Sequence, residues 1–99
     1  MTKQITRQQL SAALVERHGQ ERQKHLYTAS VGIAGLGGLG SNIAVQLTRL
    51  GIGHLILADC DRVEISNLNR QSYRLCDIGR PKPEALTEQL PQINPYLCY

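Results

Sequence analysis

The residues most able to do chemistry begin with Gly35-Leu36-Gly37-Gly38-Leu39-Gly40, a GxGxxG run that follows an apolar stretch and opens a helical one. Glycine lets a backbone turn tightly and approach an anion, and a helix N-terminus adds unpaired N–H groups with partial positive charge. Gly35, Gly37, Gly38 and Gly40 are therefore candidate phosphate contacts. Asp59 ends the next apolar stretch, where a carboxylate can accept hydrogen bonds from ribose hydroxyls. This combination points to a nucleotide but not to a reaction. By itself it fits NAD or FAD too, and the bland alternative is a glycine turn that only packs a helix on a sheet.

The stretch DCDRVEISNLNRQ, residues 59–71, narrows the choice. A polar loop carrying Asn67, Arg70 and Gln71 has no evident use for a dinucleotide and suits a triphosphate. Arg70 can fork onto phosphate oxygens, and Lys82, just inside a helix start, adds a point charge. The same cations would stabilise charge developing on an α-phosphate attacked by a carboxylate. Arg70 and Lys82 are thus the candidate catalytic residues, against the plainer alternative of a surface ion pair. Asp61 reads as a brace of the loop, and Arg62 and Arg80 as solvated charges. His18, His25 and His54 share no spacing that suggests a metal site or a base, and no metal ligand is assigned.

The elements that must position these residues follow from local pattern. Thr6-Arg7-Gln8-Gln9 fits a capping box. Leu10, Ala13 and Leu14 then share one face of a helix that should end near Gly19. Residues 20–25 read as a charged connection. Ser30–Ala34 reads as a buried strand, followed by the glycine loop and a helix with Ile43, Ala44, Leu47 and Leu50 on one face. Gly51 stands where a C-terminal glycine belongs, and His54–Ala58 reads as a second strand. Strand, loop, helix and strand make a βαβ unit with parallel strands. Residues 59–79 form a long polar connection. Pro81 suits the first position of a further helix with Leu86, Leu90 and Ile93 on one face, and Pro91 should break its last turn. Residues 96–99 read as the start of a third strand. Two parallel strands with helices are a poor independent unit, so a part of a longer protein is expected.

Bulk properties agree. The 99 residues, 41% hydrophobic and 19% charged, suffice for one small soluble domain. The net charge of +3 is spread along the chain rather than gathered in a run. With no Trp or Phe and four tyrosines, a base-stacking nucleic-acid platform is disfavoured. Cys60, Cys76 and Cys98 are odd in number and form no CxxC pair, which speaks against a zinc site or a disulfide framework and for a cytoplasmic location. No stretch has signal-peptide or membrane-span character.

The motifs GLGGLGSN (35–42), DCDRVEISNLNRQ (59–71), GRPKPEAL (79–86) and INPY (93–96), with VERH (15–18), occur in order. Together they resemble the ThiF/MoeB/HesA family of the ubiquitin-activating-enzyme superfamily, closest to its short bacterial ThiF branch, over residues 10–99. The resemblance implies an α/β fold, a Rossmann-like parallel sheet with an N-terminal helix. Residues 1–25 would be the N-terminal helix and connection, and 26–99 a nucleotide-binding core truncated at its C-terminal end. It implies ATP and Mg2+ as cofactors. The expected reaction is adenylation of the C-terminal glycine of a ubiquitin-like sulfur carrier, ThiS-like and serving thiamine thiazole synthesis. Gly37, Gly38 and Gly40 would line the phosphates, Asp59 the ribose, and Asn67, Arg70 and Lys82 phosphate oxygens. A homodimer is implied, in which an N-terminal arginine, Arg17 first and Arg22 second, reaches the partner's site. Cys60 stands where family members often carry an aromatic residue, so packing is its expected role; Cys76 and Cys98 have none. The family's magnesium aspartate, zinc cysteines and catalytic cysteine fall after residue 99. The competing readings are an NAD-dependent oxidoreductase and a non-catalytic interaction module.

Overall fold

The computed structural model describes residues 4–99. Its elements run α1 (Arg7–His18), α2 (Gln20–Thr28), β1 (Ser30–Ala34), α3 (Gly38–Leu50), β2 (His54–Ala58) and α4 (Lys82–Gln89). Single 3-10 turns lie at Ile65–Asn67, Leu75–Asp77 and Leu90–Gln92. The expected capping box forms: Thr6 Oγ1 accepts from Gln9 N at 3.1 Å and Gln9 Oε1 from Thr6 N at 2.8 Å.

The structure corrects the connection expected at residues 20–25, which is the start of α2. Gly19, at φ +89°, closes α1 through its N–H to Val15 O, and its own carbonyl accepts from Gln23 N to start the next helix. Gln, Glu, Arg and Lys are good helix formers, and Glu21 lies in the favoured first turn, so polarity there does not mean loop. Gln23 is buried and hydrogen-bonds His18 Nε2, while the Arg7 guanidinium stacks on Tyr27 at 4.8 Å.

Strands β1 and β2 are parallel, in register from Ser30 opposite His54 to Ala34 opposite Ala58. Helix α3 is the crossover between them. Its Ala44 packs with Leu36, Ile52, Leu55, Val63, Tyr73, Ala85, Leu86 and Leu90 in one core, flanked by Val31, Ile33 and Leu57 of the sheet. The alternate positions, Ser30, Gly32, Ala34, Ile56 and Ala58, are exposed, so the sheet has one covered face and β1 is not the buried strand expected of Ser30–Ala34. Residues 96–99 begin to pair on the other edge of β2. Leu55 N donates to Cys98 O and Cys98 N to Gly53 O, each at 2.9 Å, giving one parallel bridge rather than a strand. Pro81 immediately precedes α4, and at Leu90 the helix tightens into the 3-10 turn that holds Pro91. No described helix is long and apolar enough to cross a membrane.

Arg80 is no solvated charge. Its guanidinium joins Asp77 at 3.2 Å, Glu88 at 2.9 Å and Glu84 at 3.5 Å. The fully buried Asp77 also holds Arg74, by its backbone N at 2.8 Å and its guanidinium at 3.2 Å, and Arg74 reaches Glu88 at 3.2 Å. An unpaired carboxylate could not be buried here at reasonable cost. Burial pushes the Asp77 carboxyl up, but Arg74 and Arg80 together hold it below the ordinary carboxylate range.

Candidate functional site

The glycine loop is built from backbone approach. Gly35, at φ +93°, turns the chain off β1 and donates to Ala58 O at 2.8 Å. Its carbonyl then presses on the first turn of α3: a Cβ on Gly40 would lie 1.8 Å from Gly35 O, so only glycine fits. Helix α3 begins at Gly38 with no side-chain cap. The N–H groups of residues 37–40 have no acceptor among the described residues. They are the orphan donors of a helix start, where an anion is favoured.

Asp59, at the end of β2, braces this loop. Its Oδ2 accepts from Leu36 N at 2.6 Å and its Oδ1 from Asp61 N at 2.7 Å. The Leu36 N–H does most to hold its pKa below the ordinary value; burial opposes, and the Asp61 N–H and the Lys82 charge add to the lowering. It is a carboxylate at neutral pH, with lone pairs left for a further donor. Lys82 is only 5% exposed at the first position of α4, tied through its N–H to Asp61 O at 3.0 Å. It makes no ion pair within 4.0 Å among the described residues.

The 60–73 loop folds back over the glycines. A Cβ on Gly38 would lie 3.9 Å from Cγ and Cδ of Arg70, and one on Gly37 would lie 3.8 Å from Nε2 of Gln71. The Arg70 side chain is exposed, with Nη1 resting on Ser66 O at 3.2 Å and Asn69 Oδ1 at 3.1 Å. Gln71 is 8% exposed and its Oε1 has no partner among the described residues. Asn67 is engaged locally: its Oδ1 accepts from Glu64 N at 2.9 Å and closes the 3-10 turn.

Residues that the motif reading leaves without roles make the stitching. Asn42 Nδ2 donates to Arg70 O at 2.8 Å and to Gly38 O at 2.5 Å, and Asn42 Oδ1 accepts from the Ser72 hydroxyl. Ser41 Oγ accepts from Ser72 N at 3.1 Å and donates to Gly37 O at 2.6 Å. The buried Tyr73 hydroxyl donates to Leu36 O at 2.7 Å. The signal for Ser41 and Asn42 is two adjacent polar residues in the first turns of the helix that the glycines open. Tyr73 gives none.

Arg17 is elsewhere. Leu14 of α1 abuts Gly51, at 3.1 Å from where its Cβ would be, and Gly51 ends α3 at the opposite end from the glycines. A 13-residue helix is about 20 Å long, so Arg17, one turn on from Leu14, and Arg22, next to the Gln23 that also meets Gly51, are far from the loop within one chain. Cys60 is exposed beside Asp59, which corrects the packing role expected for it; Cys76 and Cys98 are exposed too. Ligand atoms of Asp59, Cys60 and Asp61 lie within 4.8 Å of one another, but both Asp59 oxygens already brace backbone. That set does not make a ready cation site.

A glycine loop with free N–H groups, roofed by an arginine and flanked by a carboxylate and a buried lysine, lies within residues 8–98, which match the model of the ThiF family. The chain belongs to the ThiF family. Among curated relatives, it is 48% identical over 66 residues to ubiquitin-like modifier-activating enzyme 5 of Arabidopsis thaliana, covering 67% of this chain and 15% of that protein. The Culex quinquefasciatus protein of the same name is 44% identical over 82 residues, 83% of this chain and 19% of its own length. Among solved structures, Escherichia coli tRNA N6-threonylcarbamoyladenosine dehydratase, TcdA, in complex with ATP matches at TM-score 0.88 and 31% identity, over 99% of this chain and 41% of its own. Escherichia coli MccB with ATP matches at TM-score 0.75 and 38% identity, over 77% and 23%. The ThiF-type Rossmann-like α/β fold is thus common to all of the described chain, which spans well under half the length of these relatives.

Proposed function

We propose that this chain is the nucleotide-binding part of an ATP-dependent adenylyltransferase that activates the C-terminal carboxylate of a ubiquitin-like protein. The observation that carries this is the placing of Arg70 and Gln71 over Gly38 and Gly37, with Asp59 and Lys82 beside them. The N–H groups of Gly37, Gly38 and Gly40 would hold phosphate oxygens while Gly35 sets the turn. Arg70 and Lys82 would balance charge developing on the α-phosphate as the carboxylate attacks and pyrophosphate leaves. Asp59 would offer its remaining lone pairs to ribose. Asn67 and Gln71 would complete the phosphate side. The ATP complexes of TcdA and MccB support this reading of the loop. For Mg2+ this chain offers Asp59 and Asp61, which do not fit as a ligand set, and no step is assigned to it.

The finer reading is a ThiS-like sulfur carrier as acceptor, in a cytoplasmic homodimer in which Arg17, or Arg22, reaches the partner's glycine loop. Its support is the motif resemblance and the position of Arg17, too distant to serve its own loop. The test is thermal unfolding with magnesium-ATP, with NAD and with neither. A ligand at about 100 times its dissociation constant adds about 2.7 kcal/mol of stability. A rise with ATP alone is expected; a rise with NAD alone would favour an oxidoreductase and overturn the proposal.

A further inference from the structure

Both peptide groups flanking Leu36 are clamped. Leu36 N–H donates to Asp59 Oδ2 at 2.6 Å, and Leu36 O accepts from the Tyr73 hydroxyl at 2.7 Å. Among the described residues no peptide bond is cis, so in each of these planes the C=O and the following N–H point in opposite directions. The consequence for the first plane is visible. With Leu36 N–H turned to Asp59, the Gly35 carbonyl must face the other way, and it presses against Gly40. The second plane obeys the same rule: with Leu36 O held inward by Tyr73, Gly37 N–H is turned outward. There it has no acceptor among the described residues.

We propose that Tyr73 is a positioning residue that fixes the Leu36–Gly37 peptide so that the Gly37 N–H faces an incoming phosphate. This deepens, and rests on, the nucleotide reading above. Without the hydroxyl, Leu36 O would be a buried acceptor with no partner, a cost relieved by rotating the peptide. Gly37 permits that rotation because it has no Cβ to oppose it. A rotated peptide would aim a carbonyl oxygen at the phosphate and take the N–H away. Tyr73 suits such a role because it is 8% exposed, and burial, with the charges of Asp59 and Asp77, holds its hydroxyl in the protonated, donating form. Its ring packs in the core with Leu36, so the hydroxyl has little freedom to leave.

The test is Tyr73→Phe, which keeps the ring and removes the donor, in the full 99-residue chain. Affinities for ATP and for adenosine are measured beside the 15N-amide resonance of Gly37. We expect ATP to bind about tenfold more weakly, as for one lost charge-assisted hydrogen bond, with adenosine unchanged. A purely structural role would weaken both ligands together, and that outcome overturns the assignment, as does unchanged ATP affinity. A wild-type chain that binds no ATP removes the nucleotide reading and the phosphate part of this one. The clamp is then judged on the Gly37 amide, which must shift in ligand-free Tyr73→Phe; an unmoved resonance overturns it. If Tyr73→Phe folds poorly, wild-type chain grown with 3-fluorotyrosine, a stronger donor, must shift the same resonance.

Discussion

The side-chain amide of Asn42 donates to the main-chain oxygen of Arg70 at 2.8 Å, across 28 residues of sequence. Asn42 is in the first turns of α3, directly behind the glycine loop, and Arg70 is the cation over Gly38. One side chain thereby ties the loop that carries the cation to the helix start that carries the N–H groups. The two halves of the candidate site hold a common geometry before any ligand arrives, which lowers the ordering cost of binding.

Asn42→Ala should therefore loosen the Arg70 loop more than it weakens the fold. Asn42 is exposed, so each of its three lost hydrogen bonds is worth at most about 1 kcal/mol. The expected result is a several-fold weaker ATP affinity with a melting temperature lowered by several degrees but a cooperative transition kept, read by calorimetric titration and thermal unfolding. Equal affinity in both proteins would mean that the tether does not set the site.

Arg70→Ala should leave stability nearly unchanged, because the side chain is exposed and touches its own loop through two hydrogen bonds. Its effect should fall on chemistry. Removing one preorganised donor to developing charge costs on the order of 100-fold in rate. The measurement is carrier adenylation, or ATP–pyrophosphate exchange, in the intact protein; an unaltered rate would take Arg70 out of the mechanism.

Gly40→Ala should fail as a fold. The added Cβ would lie 1.8 Å from Gly35 O, a backbone atom that cannot yield without opening the turn. The expected loss is about 3 kcal/mol or more, much of the stability of a domain this small. Gly38→Ala is the control, since its Cβ would meet only the flexible Arg70 side chain at 3.9 Å. Comparable melting curves for the two variants would contradict this account of the loop.

Stability should fall with acid through Asp59 and Asp77. Both carboxyls are held below their ordinary range when folded, Asp59 chiefly by the Leu36 N–H and Asp77 by Arg74 and Arg80 against its burial. A group whose folded value is depressed contributes stability at pH above its unfolded value, and that contribution is lost as pH falls through the folded one. The loss should thus begin in the ordinary carboxylate range and deepen below it. Asp77→Asn should be less stable at neutral pH and flatter in that acid window, as followed by denaturant unfolding across pH. A variant with the wild-type slope would assign the acid loss to other groups.

The glycine loop, α3, both strands, the capping box at Thr6 and the αL glycine at 51 are legible because each depends on residues within a few positions of one another. Helix α2 escapes such a reading because its density of charge resembles a loop, whereas Gln, Glu, Arg and Lys favour a helix once Gly19 restarts it. Arg80 escapes it because nothing local distinguishes a solvated arginine from one closing an ion cluster. Its partner Asp77 is buried only after residues 74–80 fold against α4.

The sequence by itself determined the order of elements, the anion-seeking helix start and the polar loop bearing Arg70, because turn chemistry, apolar period and glycine spacing act over short separations. The tertiary structure decided how that loop returns to the glycines: Asn42 to Arg70, Ser41 to Ser72, and Tyr73 to Leu36. It also set Leu14, on the helix that carries Arg17, against the far end of α3. These contacts join residues some thirty positions apart, and closing such a loop is entropically unfavourable until core packing compensates. No local pattern encodes which donor meets which acceptor. Only the packed core, which buries Leu36 and Tyr73 together, selects those pairs.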